Sequence, residues 1–199
     1  MDAHQKKAPR ERRHLVFIDE SGVLMGPLLR RTWGLRGRTP PLPQRGKQRE
    51  KVSIVAALWW SPREHHPLGL HYETLPNGYF NNVRVAAFLG RLLRELPQRL
   101  LVVWDGGGMH KGDPIREAVE TNRPRLQLER LPPYAPMLNP VEPLWSWLKH
   151  SRLANYAPEN AMASNQRIHQ ELDAVRSDPD FLRSMWRASD LPLPRTLLL

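Results

Sequence analysis

Residues 100–105, Leu100-Leu101-Val102-Val103-Trp104-Asp105, decide the fold. Five apolar residues in a row, bounded by polar ones, read as a strand buried on both faces, as in a sheet covered by helices on each side. The acid that follows lies at the carboxyl edge of that sheet, where open α/β sheets place their sites. A second stretch has the same grammar: residues 14–19, His14-Leu15-Val16-Phe17-Ile18-Asp19, run apolar into an acid. If the two strands are neighbours, Asp19 and Asp105 converge.

Outward from these strands the period alternates between sheet and helix. Residues 51–60 (KVSIVAALWW) read as a long buried strand, and 69–75 as another. A further strand is expected over 30–35, closed by Gly37. Short connections make these an antiparallel meander. Val85, Leu89, Leu92 and Leu96, with Phe88 beside them, form one stripe of an amphipathic helix over 81–96. The remaining expectations are a helix over 111–121, a strand over 126–131 and a rigid proline loop over 132–136. A helix starts near Pro140, and two more cover 160–177 and 179–188. The class is α/β: a sheet with an antiparallel meander at one side and helices on its faces.

Composition sets limits. The 199 residues carry 30 Lys and Arg against 20 Asp and Glu, a net charge of +10, which draws a chain to polyanions such as nucleic acid. Eight of the basic residues fall between Gly26 and Lys51 (Arg30, Arg31, Arg36, Arg38, Arg45, Lys47, Arg49 and Lys51) against Glu50 alone. So dense a patch suits phosphate contacts; a solvated loop is the plain alternative. There is no cysteine, so disulfides and thiolate metal sites are excluded. No apolar run is long enough to span a membrane, and residues 1–14 have no signal-peptide core. Residues 1–13 read as a basic mobile arm, 14–190 as one domain and 191–199 as a tail.

Glu142 is the third acid of interest. In Asn139-Pro140-Val141-Glu142, Asn is a good N-cap and Pro a good first helical residue. Glu142 then falls at N3, where a capping box also wants it. Asp19 and Asp105 have an ordinary alternative as turn-starting residues. Together, in a basic chain, three such acids suggest hard oxygen ligands for Mg²⁺ or Mn²⁺. Glu20 points to the opposite face from Asp19 and is at best a supporting residue. Gly106–Gly108 lets backbone approach a phosphate or simply turns the chain. His110 and Lys111 are placed to contact DNA or cap the next helix. Lys149, seven residues after Glu142, is placed to hold a phosphate or to face solvent. Tyr134 is the base-stacking candidate in the proline loop, whereas Trp145 and Trp147 read as core. His65, His66 and His71 lack a zinc-ligand spacing.

Three segments resemble a known family. Residues 17–21 (FIDES), 103–111 (VWDGGGMHK) and 131–145 (LPPYAPMLNPVEPLW) resemble the DDE transposases of the IS630 group, which belong with the Tc1/mariner elements. Residues 31–34 (RTWG), followed by Arg36-Gly37, resemble that family's early hairpin. The resemblance spans roughly 14–150. It implies an RNase H-like fold with a mixed five-stranded sheet, and Asp19, Asp105 and Glu142 as a catalytic triad holding two Mg²⁺ (or Mn²⁺) ions. It also implies cut-and-paste movement of an insertion sequence by DNA cleavage and strand transfer. The partners it implies are double-stranded DNA (element ends and target), a second copy in a homodimer and an upstream helix-turn-helix half of the protein. The place it implies is the bacterial cytoplasm, at the nucleoid. Arg30, Arg31, Arg36, Arg38, Lys47, His110, Lys111, Tyr134 and Lys149 are the DNA-contact candidates. Two departures stand out: Gly106 replaces the family's usual Asn, and only 18 residues precede Asp19. They keep two other readings open, an RNase H-like nuclease or resolvase without strand transfer, and an inactive DNA-binding remnant.

Overall fold

A computed structural model describes residues 13–26, 28–42, 50–62 and 68–192. Five strands form one sheet in the order β3-β2-β1-β4-β5: β1 Arg13–Leu24, β2 Lys51–Trp60, β3 Leu68–Pro76, β4 Arg99–Trp104 and β5 Leu126–Arg130. The β1–β2 and β2–β3 pairs are antiparallel, and the β1–β4 and β4–β5 pairs are parallel. This is the expected mixed sheet with a meander on one side.

Alternation sends successive residues of β1 to opposite faces. Leu15 and Phe17 enter one apolar cluster, with Val52, Ile54, Leu101 and Val103. Helices α3 (Glu142–Trp147), α4 (Ala161–Arg176) and α5 (Pro179–Arg187) cover that face. Val16 and Ile18 enter the other cluster, under α1 (Asn82–Glu95) and α2 (Asp113–Thr121). The stripe Val85, Phe88, Leu89 and Leu92 is fully buried there. The Asn81 side chain caps α1 by accepting from Arg84 N–H at 3.0 Å.

Four expectations need correcting. Residues 30–35 form no strand: the segment 29–41 is exposed, with Leu29 and Leu35 in solvent, and its one bridge is Leu28 to Ala154. A strand needs a paired neighbour, and none lies alongside. Strand β1 does not stop at Asp19. Its pairing with β4 reaches Phe17, but β2 accompanies it to Leu24. Arg13 is no part of an arm. It is buried and donates from Nη1 to the carbonyls of Leu100 and Pro124. Leu191, placed in the tail, packs into the core. The rest of the arm (1–12) and of the tail (193–199) lies outside the described residues, as do His65 and His66. Among the described residues no helix is long and apolar enough to cross a membrane.

Candidate active site

The β1–β4 register pairs Phe17 with Val103. Asp19 lies two residues beyond that last pair, within β1, and Asp105 directly follows the end of β4. Alternation along β1 sends Asp19 to the same face as Phe17, the face covered by α3. Glu142 opens α3. All three acids line one open cleft.

The start of α3 decides between the two roles considered for Glu142. Asn139 Oδ1 accepts from Val141 N–H at 3.2 Å, and Glu142 is the first helical residue rather than the third. No side chain caps this helix, so there is no capping box. The helix dipole still favours the carboxylate here, which is left free to face the cleft.

Asp19 is the buried member, with 9 % exposure. Its Oδ2 accepts the indole N–H of Trp145 at 2.7 Å. Burial raises its carboxyl to about 7; the negative Glu142, Glu20 and Asp105 add to the rise, and the Trp145 bond opposes it. Carboxylates that face one another without a cation repel. Among the described residues no three of His, Asp and Glu are drawn together as a metal-holding group. The donor set nevertheless fits a hard divalent cation: carboxylate oxygens from three elements, one buried and destabilised as an anion. Among the described residues, neither Asp19 nor Glu142 has an ion-pair partner.

Asp105 is tied from behind. Its Oδ1 accepts from Gly107 N–H at 2.8 Å and lies 2.8 Å from His110 Nδ1. His110 stacks flat on Trp104, with ring centroids 4.3 Å apart, and its Nε2 lies 2.9 Å from Glu20 Oε1. Burial works against a charged imidazole here, but the bonds to Glu20 and to the Asp105 carbonyl outweigh it and raise its pKa.

The DNA-contact candidates divide. Lys111 and Tyr134 line the acidic cleft. Tyr134 is 99 % exposed on a left-handed backbone (φ 56°), a conformation disfavoured for a bulky residue and concentrated at functional sites. Arg30, Arg31, Arg36 and Arg38 lie on the exposed 28–42 segment, apart from the cleft, with Trp33 bare among them at 99 %. Asn155 clips the root of this segment: it accepts from Arg30 N–H at 2.8 Å and donates to Arg30 O at 2.9 Å. Two candidates are corrected. His110, at 3 % exposure, is too deep to meet a phosphate and serves the carboxylates instead. Lys149, one residue into the π-helix over Leu148–Arg152, does not line the acidic cleft. It lines a separate apolar cavity with Val23 and Leu153. Lys47 lies outside the described residues.

Sequence reasoning missed Trp145 as a donor to Asp19, since a core tryptophan advertises nothing about its N–H. It also missed Arg130, which lines the cleft beside Lys111. The signal for Arg130 was present: it ends β5, level with the edge that carries Asp105.

Comparisons with known proteins agree with this geometry. The model of the DDE superfamily endonuclease family matches residues 14–162. A pre-cleavage Mos1 transpososome is similar at 22% identity and TM-score 0.61, covering 94% of this chain and 55% of that one. A Mos1 mariner paired end complex with Mn gives 22% and 0.60, with the same coverage. The catalytic domain of Mos1 mariner transposase gives 21% and 0.53, covering 94% and 81%. The likeness establishes the RNase H-like fold. The chain spans about half the length of the first two relatives. No curated protein matches it in sequence.

Proposed function

Because the chain belongs to the DDE superfamily endonucleases, we propose that residues 14–190 are the catalytic domain of a DNA transposase, of the IS630 group within the Tc1/mariner elements. The carrying observation is that Asp19, Asp105 and Glu142 line one cleft. The substrate is double-stranded DNA at an element's ends and at its target, and the reaction is strand cleavage followed by strand transfer. Solved Mos1 complexes with Mn and with Mg motivate the choice of cation.

Asp19, Asp105 and Glu142 are the residues to hold two Mg²⁺ or Mn²⁺ ions. Bound there, such a pair supplies the clamp on the attacking and leaving oxygens of a phosphodiester. The remaining work falls to the chain. Trp145 fixes one Asp19 oxygen. Lys111 and Arg130 at the rim attract the DNA backbone, and Tyr134 offers a ring for an unpaired base. The basic residues of the 28–42 segment and Lys47 add sequence-independent phosphate contacts. A homodimer, and a helix-turn-helix half supplied from elsewhere, complete the proposed assembly at the nucleoid.

The test is nicking of supercoiled plasmid with Mn²⁺. The parent protein nicks, and Asp19→Asn, Asp105→Asn and Glu142→Gln fall to background. Nicking by Asp19→Asn and Asp105→Asn at the parent's rate sinks the assignment. Joining of a labelled 3′-hydroxyl end to target plasmid separates a transposase from a simple nuclease. Gly106 has open space around its Cβ position. Gly106→Asn, the family's usual residue, is therefore expected to fold normally and to raise nicking.

A further inference from the structure

We propose that His110 is a positioning residue for Asp105, and that it commits Asp105 to present Oδ2 alone to the metal. This rests on the triad reading above. The Asp105 side chain is 59 % exposed, so packing does not hold it in one rotamer. What restrains it is polar. Gly107 N–H and His110 Nδ1 both meet Oδ1, each at 2.8 Å, and Nδ1 also lies 3.1 Å from the Asp105 carbonyl. Acceptors flank both ring nitrogens, Asp105 at Nδ1 and Glu20 at Nε2, so each nitrogen is a donor. Oδ1 thus accepts from Gly107 N–H and sits in ion-pair contact with the imidazole, whose Nδ1 bonds the Asp105 carbonyl, and Oδ2 is the oxygen left for the cleft.

The imidazole is itself held on three sides. Its side chain is 1 % exposed, it stacks on Trp104 at an interplanar angle of 4°, and its Nε2 meets both Glu20 oxygens, at 2.9 and 3.1 Å. Glu20 is fixed on the opposite face of β1 from Asp19. One strand therefore supplies a ligand through Asp19 and, through Glu20 and His110, orients the ligand on its neighbour. An outer partner that orients a ligating carboxylate is worth 10–100-fold in metal affinity, roughly, when removed. Gly107 belongs to the same device, because a Cβ there would stand 2.9 Å from Oδ1.

The experiment is calorimetric titration of the protein with Mn²⁺, alongside nicking at rising Mn²⁺. His110→Ala and Glu20→Gln are expected to weaken Mn²⁺ binding about tenfold. The Mn²⁺ concentration at half-maximal nicking should rise by the same factor, and the rate at saturating Mn²⁺ should stay within about threefold of the parent. A merely structural role lowers the folded fraction and so the rate at every Mn²⁺ concentration, without moving the midpoint. Glu20→Gln keeps shape and burial, and decides the matter where His110→Ala does not fold. An unchanged Mn²⁺ affinity in either folded variant, with Asp105→Asn still losing the metal, overturns the role of His110 alone. Parent protein that binds no Mn²⁺ overturns the triad reading and this inference together.

Discussion

Asp19 ties the site's chemistry to the protein's stability. It is held up to about 7 when folded, against an ordinary 3.8. Between those values the unfolded chain has released the proton and the folded chain has kept it, so stability without metal falls as pH rises from about 4 to about 7. Asp19→Asn removes that decline, and its Oδ1 can still accept from Trp145. In thermal melts with chelator, the variant should exceed the parent at pH 8 by no more than about 4 kcal/mol and match it near pH 3.5. A parent whose melting point is flat from pH 4 to 8 contradicts this. Gly107→Ala crowds Asp105 Oδ1, so it should weaken Mn²⁺ binding severalfold in calorimetry. Gly106→Ala, with open space, should leave binding unchanged. Neither difference was legible in the run Gly106-Gly107-Gly108, because a glycine's duty depends on which atom lies where its Cβ would be.

At the scale of elements, the strands and helices were readable because their apolar periods are long and unbroken. Strands 51–60 and 100–104, and the stripe from Val85 to Leu96, appear as read, since burial on one or both faces enforces the pattern. The errors fall where pairing, not period, decides. Residues 30–35 carry strand-like side chains but find no partner, and β1 outruns Asp19 because β2 runs alongside it. The π-helix after α3 has no sequence period of its own and was not legible. Two pieces of architecture here are testable. Asn155 sits at φ 56° and ties down Arg30 by two side-chain bonds. Asn155→Gly keeps the backbone and removes the clip, so trypsin should cut within 28–42 faster while the melting temperature barely moves. In β3, Gly69 lies under the Trp59 ring, where a Cβ would fall among the ring atoms. Gly69→Ala should displace Trp59 and its stack with His14, and destabilise by about 1–3 kcal/mol in denaturant melts.

For the whole molecule, a net charge of +10 predicts DNA binding that weakens steeply with salt. Replacing Arg30, Arg31, Arg36 and Arg38 together by Ala should flatten the slope of log affinity against log salt by about 0.9 for each phosphate no longer neutralised. An unchanged slope removes the 28–42 segment from the DNA path. That segment was legible as basic, but its projection from the body was not, because charge density says nothing about where a chain is anchored.

The bond from Trp145 to Asp19 joins residues 126 positions apart. It sets the order of events on the ribosome. Asp19 and Asp105 both precede the last strand, whereas Glu142 and Trp145 follow it, and α3 docks only when the sheet beneath it exists. On the proposed triad, a chain stopped before residue 142 lacks both the third carboxylate and the tryptophan that holds the first.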